Sequence, residues 1–184
     1  MKTLTSILFI GLLSVASAPF AQDKAPVPMD HSKMKGMDHS TMTKPAQLNI
    51  AANAKDAVAT VERFSIALSA GKLDKAGAEL DAKVLILESG GAEHSAAEYL
   101  GGHAKGDAAF LKGVHVQLVR RTAQANGNMA WVGSESELHI MKDNKMTTIL
   151  STETMVLKLT GSTWKITHIH WSSRNKKSAA PAAK

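Results

Sequence analysis

The chain has 184 residues, 22 Lys and Arg against 16 Asp and Glu for a formal charge of +6, a hydrophobic fraction of 44%, and no cysteine. That length and apolar content suit one folded domain with extensions. The missing cysteines exclude disulfide staples and thiolate metal sites, so soft-metal chemistry would rest on methionine with histidine as its partner.

The first 21 residues read as a secretory signal. Lys2 supplies the positive start, residues 7–15 the apolar run, and Ala16-Ser17-Ala18 through Ala21 the small-residue cleavage region, with cleavage expected near Ala21. A periplasmic or secreted location follows from it. No later segment approaches about 18 consecutive apolar residues, so no membrane span is expected. Residues 22–47 read as a disordered arm. They hold three of the five prolines (Pro26, Pro28 and Pro45) and show no apolar period. Inside the arm Met29-Asp-His-Ser-Lys-Met34 is followed by Met37-Asp-His-Ser-Thr-Met42, a repeat with one substitution. The thioethers of Met29, Met34, Met37 and Met42 suit Cu(I) or Ag(I), and the imidazoles of His31 and His39 suit copper in either oxidation state. A copper or silver ion is the expected partner; no organic cofactor is indicated.

Residues 48–68 read as a helix, capped by Asn53 with Asp56 in its first turn. Its apolar stripe runs through Val58, Val61, Phe64 (or Ser65) and Leu68, and Gly71 ends it. A short helix follows over 73–80, then a buried strand over 84–87 closed by Ser89-Gly90-Gly91. Ser95-Ala-Ala-Glu98 is a capping box opening a helix towards Gly101-Gly102 that resumes through Lys112. Strands are expected over 114–123, 129–141 and 146–159, separated by Asn126-Gly127 and Asp143-Asn144 turns. Residues 160–163 turn into a last strand, residues 164–172. Period two places Trp164, Ile166, His168 and His170 on one face of that strand and Lys165, Thr167, Ile169 and Trp171 on the other. Residues 176–184 form a tail with no reason to fold. The basic residues gather at the two ends, without the interleaved aromatics that a nucleic-acid partner would want. The element order of helix, helix, strand, helix and four antiparallel strands is α+β, with helices on one face of a curved sheet and a pocket at its open end.

The element order, together with Glu88-Ser-Gly-Gly-Ala-Glu-His-Ser-Ala-Ala-Glu-Tyr99, Gly102-His-Ala-Lys-Gly-Asp-Ala-Ala-Phe-Leu111 and Trp164-Lys-Ile-Thr-His-Ile-His-Trp-Ser-Ser-Arg174, resembles the NTF2-like, SnoaL-like superfamily over about residues 50–175 of the expected domain, residues 48–175. The resemblance implies a cystatin-like cone, helices packed on a curved antiparallel sheet, with a pocket between them and a homodimer through the outer sheet face. On that scheme Trp164, Ile166, His168 and His170 line the pocket, while Ile169 and Trp171 face a partner subunit. Its members include isomerases, cyclases, dehydratases and proteins without known chemistry, so fold alone does not fix function. The Met/His repeat lies outside this region and is similar to segments of exported bacterial copper-handling proteins.

Within the domain, pairing Leu159 with Trp164 across the last turn places Glu153 opposite His170 and Met155 opposite His168, so Glu153 would orient an imidazole. Tyr99, His103 and Asp107 fall at helical spacing, and His94 precedes the helix. A pocket holding His94, His103, His168 and His170 suits metal binding or acid–base chemistry. The plainer reading is that His168 and His170 are buried and satisfied by Glu153 or the backbone. Glu98 is absorbed by the capping box, and His115 and His139 receive no role. The leading expectation is an exported, non-enzymatic copper-binding protein for metal tolerance or delivery. The alternative is a pocket enzyme of the ketosteroid-isomerase or SnoaL type, with His168 or His170 and Glu153 or Asp107 moving a proton on a small apolar substrate. A non-catalytic small-molecule binding domain is the third reading.

Overall fold

A computed structural model describes residues 44–142 and 145–177; the signal segment, the Met/His repeat and the last residues of the tail lie outside them. In chain order the elements are β1 (Gln47–Ile50), a 3-10 turn (Ala52–Ala54), α1 (Lys55–Ser69), α2 (Leu73–Glu79), β2 (Leu80–Glu88), β3 (Gly91–Glu93), α3 (Ala96–Gly101), α4 (His103–Leu111), β4 (His115–Asn126), β5 (Met129–Lys142), β6 (Lys145–Thr160) and β7 (Thr163–Asn175). The expected α+β cone is present. The seven strands form one open sheet in the order β1-β4-β5-β6-β7-β2-β3. Strands β4 to β7 are the expected antiparallel meander. The sheet is mixed rather than antiparallel throughout, because β1 runs parallel to β4 and β2 parallel to β7.

Helix α1 buries the predicted stripe, with Val58, Val61, Phe64 and Leu68 joined by Ala57 and Ala67. These residues pack against Val132, Met155, Leu157, Trp164, Ile166 and Ile169 of the sheet. Two details at its start differ from expectation. Residues 47–50 are a strand on the edge of β4, since Leu48 is too exposed to belong to the helical stripe. Asn53 does not cap α1; its Nδ2 donates to the Ala125 carbonyl at 3.0 Å, and the N-cap position falls on Ala54 with no side-chain bond. Asn53 thus ties the helix approach to the end of β4. Gly71, at φ 67°, supplies the left-handed turn after α1. Among the described residues no helix is long and apolar enough to cross a membrane.

The capping box at α3 forms as the spacing predicts. Ser95 Oγ accepts from the Glu98 amide at 3.1 Å, and Glu98 reaches back to the His94 amide at 2.8 Å. Ser95→Ala should therefore lower stability by about 1 kcal/mol. Chemical denaturation would read this as a shifted midpoint with an unchanged slope.

The last strand departs most from its expected pattern. Leu159 faces Trp164 and Leu157 faces Ile166, as the turn dictates, but the next pair is Val156 with His168. Thr167 is the extra residue of a β-bulge, and its Oγ1 donates to the Val156 carbonyl at 3.1 Å. A one-residue slip turns every following side chain to the opposite face. Trp164 and Ile166 are buried before the bulge; after it Ile169 is fully buried, Trp171 turns inward, and His170 is exposed. Two pairs of large apolar residues that are out of phase in the sequence thus share the interior, while His170 stays exposed and His168 is half-buried with a backbone partner. A second bulge sits at Val119 of β4, between the pairs Leu118–Ser136 and Arg120–Glu135.

Candidate functional site

The two bulges bring one continuous row of side chains to the same face of the sheet. Reading across β4, β5, β6, β7 and β2, Arg121 pairs with Ser134, Ser134 with Glu153, Glu153 with Trp171, and Trp171 with Glu88. Residues opposite one another on neighbouring strands present their side chains side by side. All five line a cavity of about 650 Å³ between the sheet and helices α1 and α4. Its remaining walls are mainly apolar, with Phe64 and Leu68 from α1, Phe110 and Leu111 from α4, and Leu118, Leu138 and Ile149 from the sheet. A largely apolar concavity with a few convergent polar groups is the usual form of a small-molecule site.

Glu153 is the central polar group of the row. Trp171 Nε1 donates to its Oε2 at 2.8 Å. Burial raises the Glu153 pKa above the usual carboxylate value, while the Trp171 and Ser134 hydrogen bonds and the Arg121 charge pull the other way without cancelling it. Arg121 is itself buried, bonded to Ser134 Oγ at 3.3 Å and to Glu62 Oε1 at 2.9 Å. The guanidinium is thus largely matched by Glu62 on the helix side, leaving Glu153 as an acid whose protonated form is favoured by burial.

A second cluster lies at the other end of the row. Gly102 interrupts the helix, yet Tyr99, His103 and Asp107 still converge as their spacing implies. The buried Tyr99 hydroxyl donates to Asp107 Oδ2 at 2.7 Å, and His103 Nδ1 bonds Glu93 Oε1 at 2.7 Å. Burial and this acidic neighbourhood push the Tyr99 pKa far up, so its hydroxyl stays a donor. Burial works against the charged form of His103, but the Glu93 hydrogen bond and the charges of Asp107, Glu93 and Glu88 outweigh it and raise its pKa. Burial, followed by the Asp107 charge, raises that of Glu88. Trp171 joins the two ends, with ring centroids 6.1 Å from Tyr99 and 6.4 Å from Phe64.

Of the residues expected to carry chemistry, Glu153 and Asp107 line the cavity; His168 and His170 do not. Glu153 faces Trp171 rather than His170, and Met155 faces Ile169 rather than His168, because Thr167 takes up one position. His168 turns its Nδ1 to the Leu85 carbonyl at 2.9 Å, so it is a satisfied histidine of the β2–β7 seam. Trp164 and Ile166 are core residues rather than cavity walls, and His94 is exposed and meets Glu98 only through its backbone. Tyr99 and His103 are not cavity walls themselves but hold or flank Asp107, which is. Ile169 and Trp171 point inward, not to a partner subunit. His115 and His139, assigned no shared cluster, are cross-strand partners with rings 5.6 Å apart, and His139 bonds Thr148 and Gln117. Sequence reasoning missed Arg121 and Ser134. Their signal was the inward phase they share with Ala123 and Val132, legible only once the bulge at Val119 is known.

The model of the SnoaL-like domain matches residues 46–175 of the chain. The chain belongs to the SnoaL-like family. Among solved structures, the SnoaL-like domain is similar to a protein of Shewanella frigidimarina designated a candidate ketosteroid isomerase, at 31% identity and TM-score 0.62, covering 67% of this chain and 98% of that one. It also shares its fold with the association domain of the Caenorhabditis elegans kinase CaMKII (19% identity, TM-score 0.55, 66% and 95% covered). A third likeness is an NTF2-like protein of Novosphingobium aromaticivorans with a cystatin-like fold (11% identity, TM-score 0.56, 64% and 79% covered). None of the curated proteins compared with the chain matches it.

Proposed function

We propose that the SnoaL-like domain binds a small, mainly apolar molecule bearing a carbonyl group and moves a proton on it, with Glu153 as the acid–base group. The observation that carries this reading is the placement of one carboxyl of raised pKa in the polar row of an otherwise apolar cavity. A carboxylic acid poised nearer neutrality than usual can both donate a hydrogen bond to a carbonyl and exchange a proton beside it. Trp171 Nε1–H fixes the orientation of the carboxyl. The apolar walls of Phe64, Leu118 and Leu138 supply contact area for the ligand and thin the water around the reacting atoms. The histidines first expected to move the proton are replaced in this role by Glu153, and Asp107 lies in the same cavity as a second carboxylate. The similarity to a candidate ketosteroid isomerase supports a β,γ-unsaturated ketone as the first substrate class to try. Conversion to the conjugated enone, followed by ultraviolet absorbance, tests the reading. Turnover by wild type and its loss in Glu153→Gln support it; equal turnover by both overturns it.

A second reading belongs to the residues before the domain. The repeated Met-Asp-His-Ser-x-Met segment, with four thioethers and two imidazoles inside 14 residues, favours capture of Cu(I) or Ag(I) by Met29, His31, Met34, Met37, His39 and Met42. Affinity should be modest, because fixing the backbone and side chains of a 14-residue segment around an ion costs conformational entropy. Deleting residues 29–42 should abolish Cu(I) binding in competition with a chromogenic chelator. Unchanged affinity and stoichiometry after the deletion would rule the arm out.

A further inference from the structure

The cluster beyond Trp171 has a property that proton transfer at Glu153 does not use. Glu88 ends β2, His103 begins α4, and Asp107 lies one turn further along α4. One ligand atom from each lies within 4.8 Å of the others. His103 Nε2 stands 3.5 Å from Asp107 Oδ1 and 3.9 Å from Glu88 Oε2. These atoms are not hydrogen-bonded to one another; they face across a gap. A tetrahedral Zn(II) with bonds of about 2.0–2.1 Å sets its ligand atoms about 3.4 Å apart, so the gap is the size an ion would span after shifts of a few tenths of an ångström.

The outward-facing atoms of two of the three side chains are already taken. His103 Nδ1 bonds Glu93 Oε1 at 2.7 Å, so Nδ1 carries a proton and Nε2 is the nitrogen left to give up its proton to an incoming ion. Asp107 Oδ2 accepts from the Tyr99 hydroxyl at 2.7 Å, leaving Oδ1 inward. A ligating imidazole held by a carboxylate, and a ligating carboxylate held by a second donor, are the outer-shell supports that orient metal ligands. Charge points the same way, since three carboxylates (Glu88, Glu93 and Asp107) surround a single imidazole. Glu88 and Asp107 also line the cavity, so an ion between them would keep a coordination position open towards a bound molecule.

We infer that Glu88, His103 and Asp107 form a binding site for a divalent transition-metal cation at the edge of the cavity, with Glu93 and Tyr99 as positioning residues. One imidazole nitrogen and two carboxylate oxygens suit Zn(II) or Mn(II). The set lacks the thioethers that would favour Cu(I), and three ligands fall short of the six to eight oxygens of a Ca(II) site. This site is separate from the Met/His repeat in residues and in metal preference, and it does not rest on the proton-transfer reading, because its test reads metal alone.

The test is Zn(II) titration of the intact chain against a chromogenic chelator, repeated with Mn(II). His103→Ala and Asp107→Asn should each remove one equivalent of Zn(II) or weaken it at least about 100-fold. Glu93→Gln, which keeps all three ligands, should weaken it about 10- to 100-fold. The double substitution His31→Ala with His39→Ala separates the arm from the domain and should leave this equivalent in place. His103 is an exposed residue, so its alanine variant should still fold, and a cooperative thermal transition of the apo variant separates loss of a ligand from loss of the fold. The inference is overturned if His103→Ala and Asp107→Asn both bind Zn(II) as wild type does, or if all bound Zn(II) disappears with His31 and His39.

Discussion

Replacing Ile169 by alanine should destabilise the chain by about 2–5 kcal/mol, while replacing its neighbour His170 by alanine should change stability by less than about 0.5 kcal/mol. Urea denaturation of the two variants beside wild type is the measurement. The prediction rests on Thr167. With unbroken alternation from Trp164, His170 would be an interior residue and Ile169 an outer one. With the bulge, Ile169 is fully buried against the core and His170 is exposed. The loss at Ile169 combines the transfer energy of its side chain with the cavity left beside Met155, its fully buried partner on β6. A reversed result, with a costly His170→Ala and a silent Ile169→Ala, would return the strand to unbroken alternation and dismantle the row Arg121–Ser134–Glu153–Trp171–Glu88.

Glu153→Gln should lower kcat for proton transfer by about 10²- to 10⁴-fold with little change in KM. Glutamine keeps the size of the side chain and still accepts from Trp171 Nε1–H, so the cavity and its apolar contacts remain; only the exchangeable carboxyl proton is lost. The same substitution has a stability signature of definite sign. Burial raises the Glu153 pKa above its ordinary value of 4.5. Its stabilising contribution is therefore fully present below that ordinary value and is lost as the pH rises through the raised one. Glutamine has no charge to bury. The variant should gain on wild type in thermal midpoint as the pH climbs from about 4.5 towards neutrality, and the two should converge in acid. An activity loss accompanied by a pH-independent stability loss would instead indicate a packing defect.

The elements carrying strong local signals were legible in the sequence. The stripe Val58, Val61, Phe64 and Leu68 has helical period, Ser95 and Glu98 have capping-box spacing, and Asn126-Gly127 marks the β4–β5 hairpin; all three appear in the structure. The convergence of Tyr99, His103 and Asp107 was also legible, since their spacing survives the break at Gly102. What escaped was set by non-local pairing. Residues 47–50 are a strand because β4 offers an edge, and nothing within those four residues says so. The bulges at Val119 and Thr167 decide which residues reach the cavity, and a period-two reading has no place for an extra residue. Trp164 and Ile166 are out of phase with Ile169 and Trp171 in the sequence, and one extra residue reconciles the pairs at less cost than fully burying two imidazoles. Nothing in the sequence distinguishes Arg121 from a strand-surface cation, because its partners Glu62 on α1 and Ser134 on β5 are brought to it only by the fold.

The proposed proton transfer requires Glu153 to be a carboxyl of raised pKa in contact with whatever occupies the cavity. Carbon-13 NMR titration of the glutamate side-chain carboxyls, in the intact chain with and without a saturating apolar ketone, measures this directly. One resonance, missing from Glu153→Gln, should titrate above the ordinary value of 4.5 and shift its midpoint when the ketone binds. A Glu153 resonance with an ordinary midpoint that the ketone leaves unmoved would contradict the account.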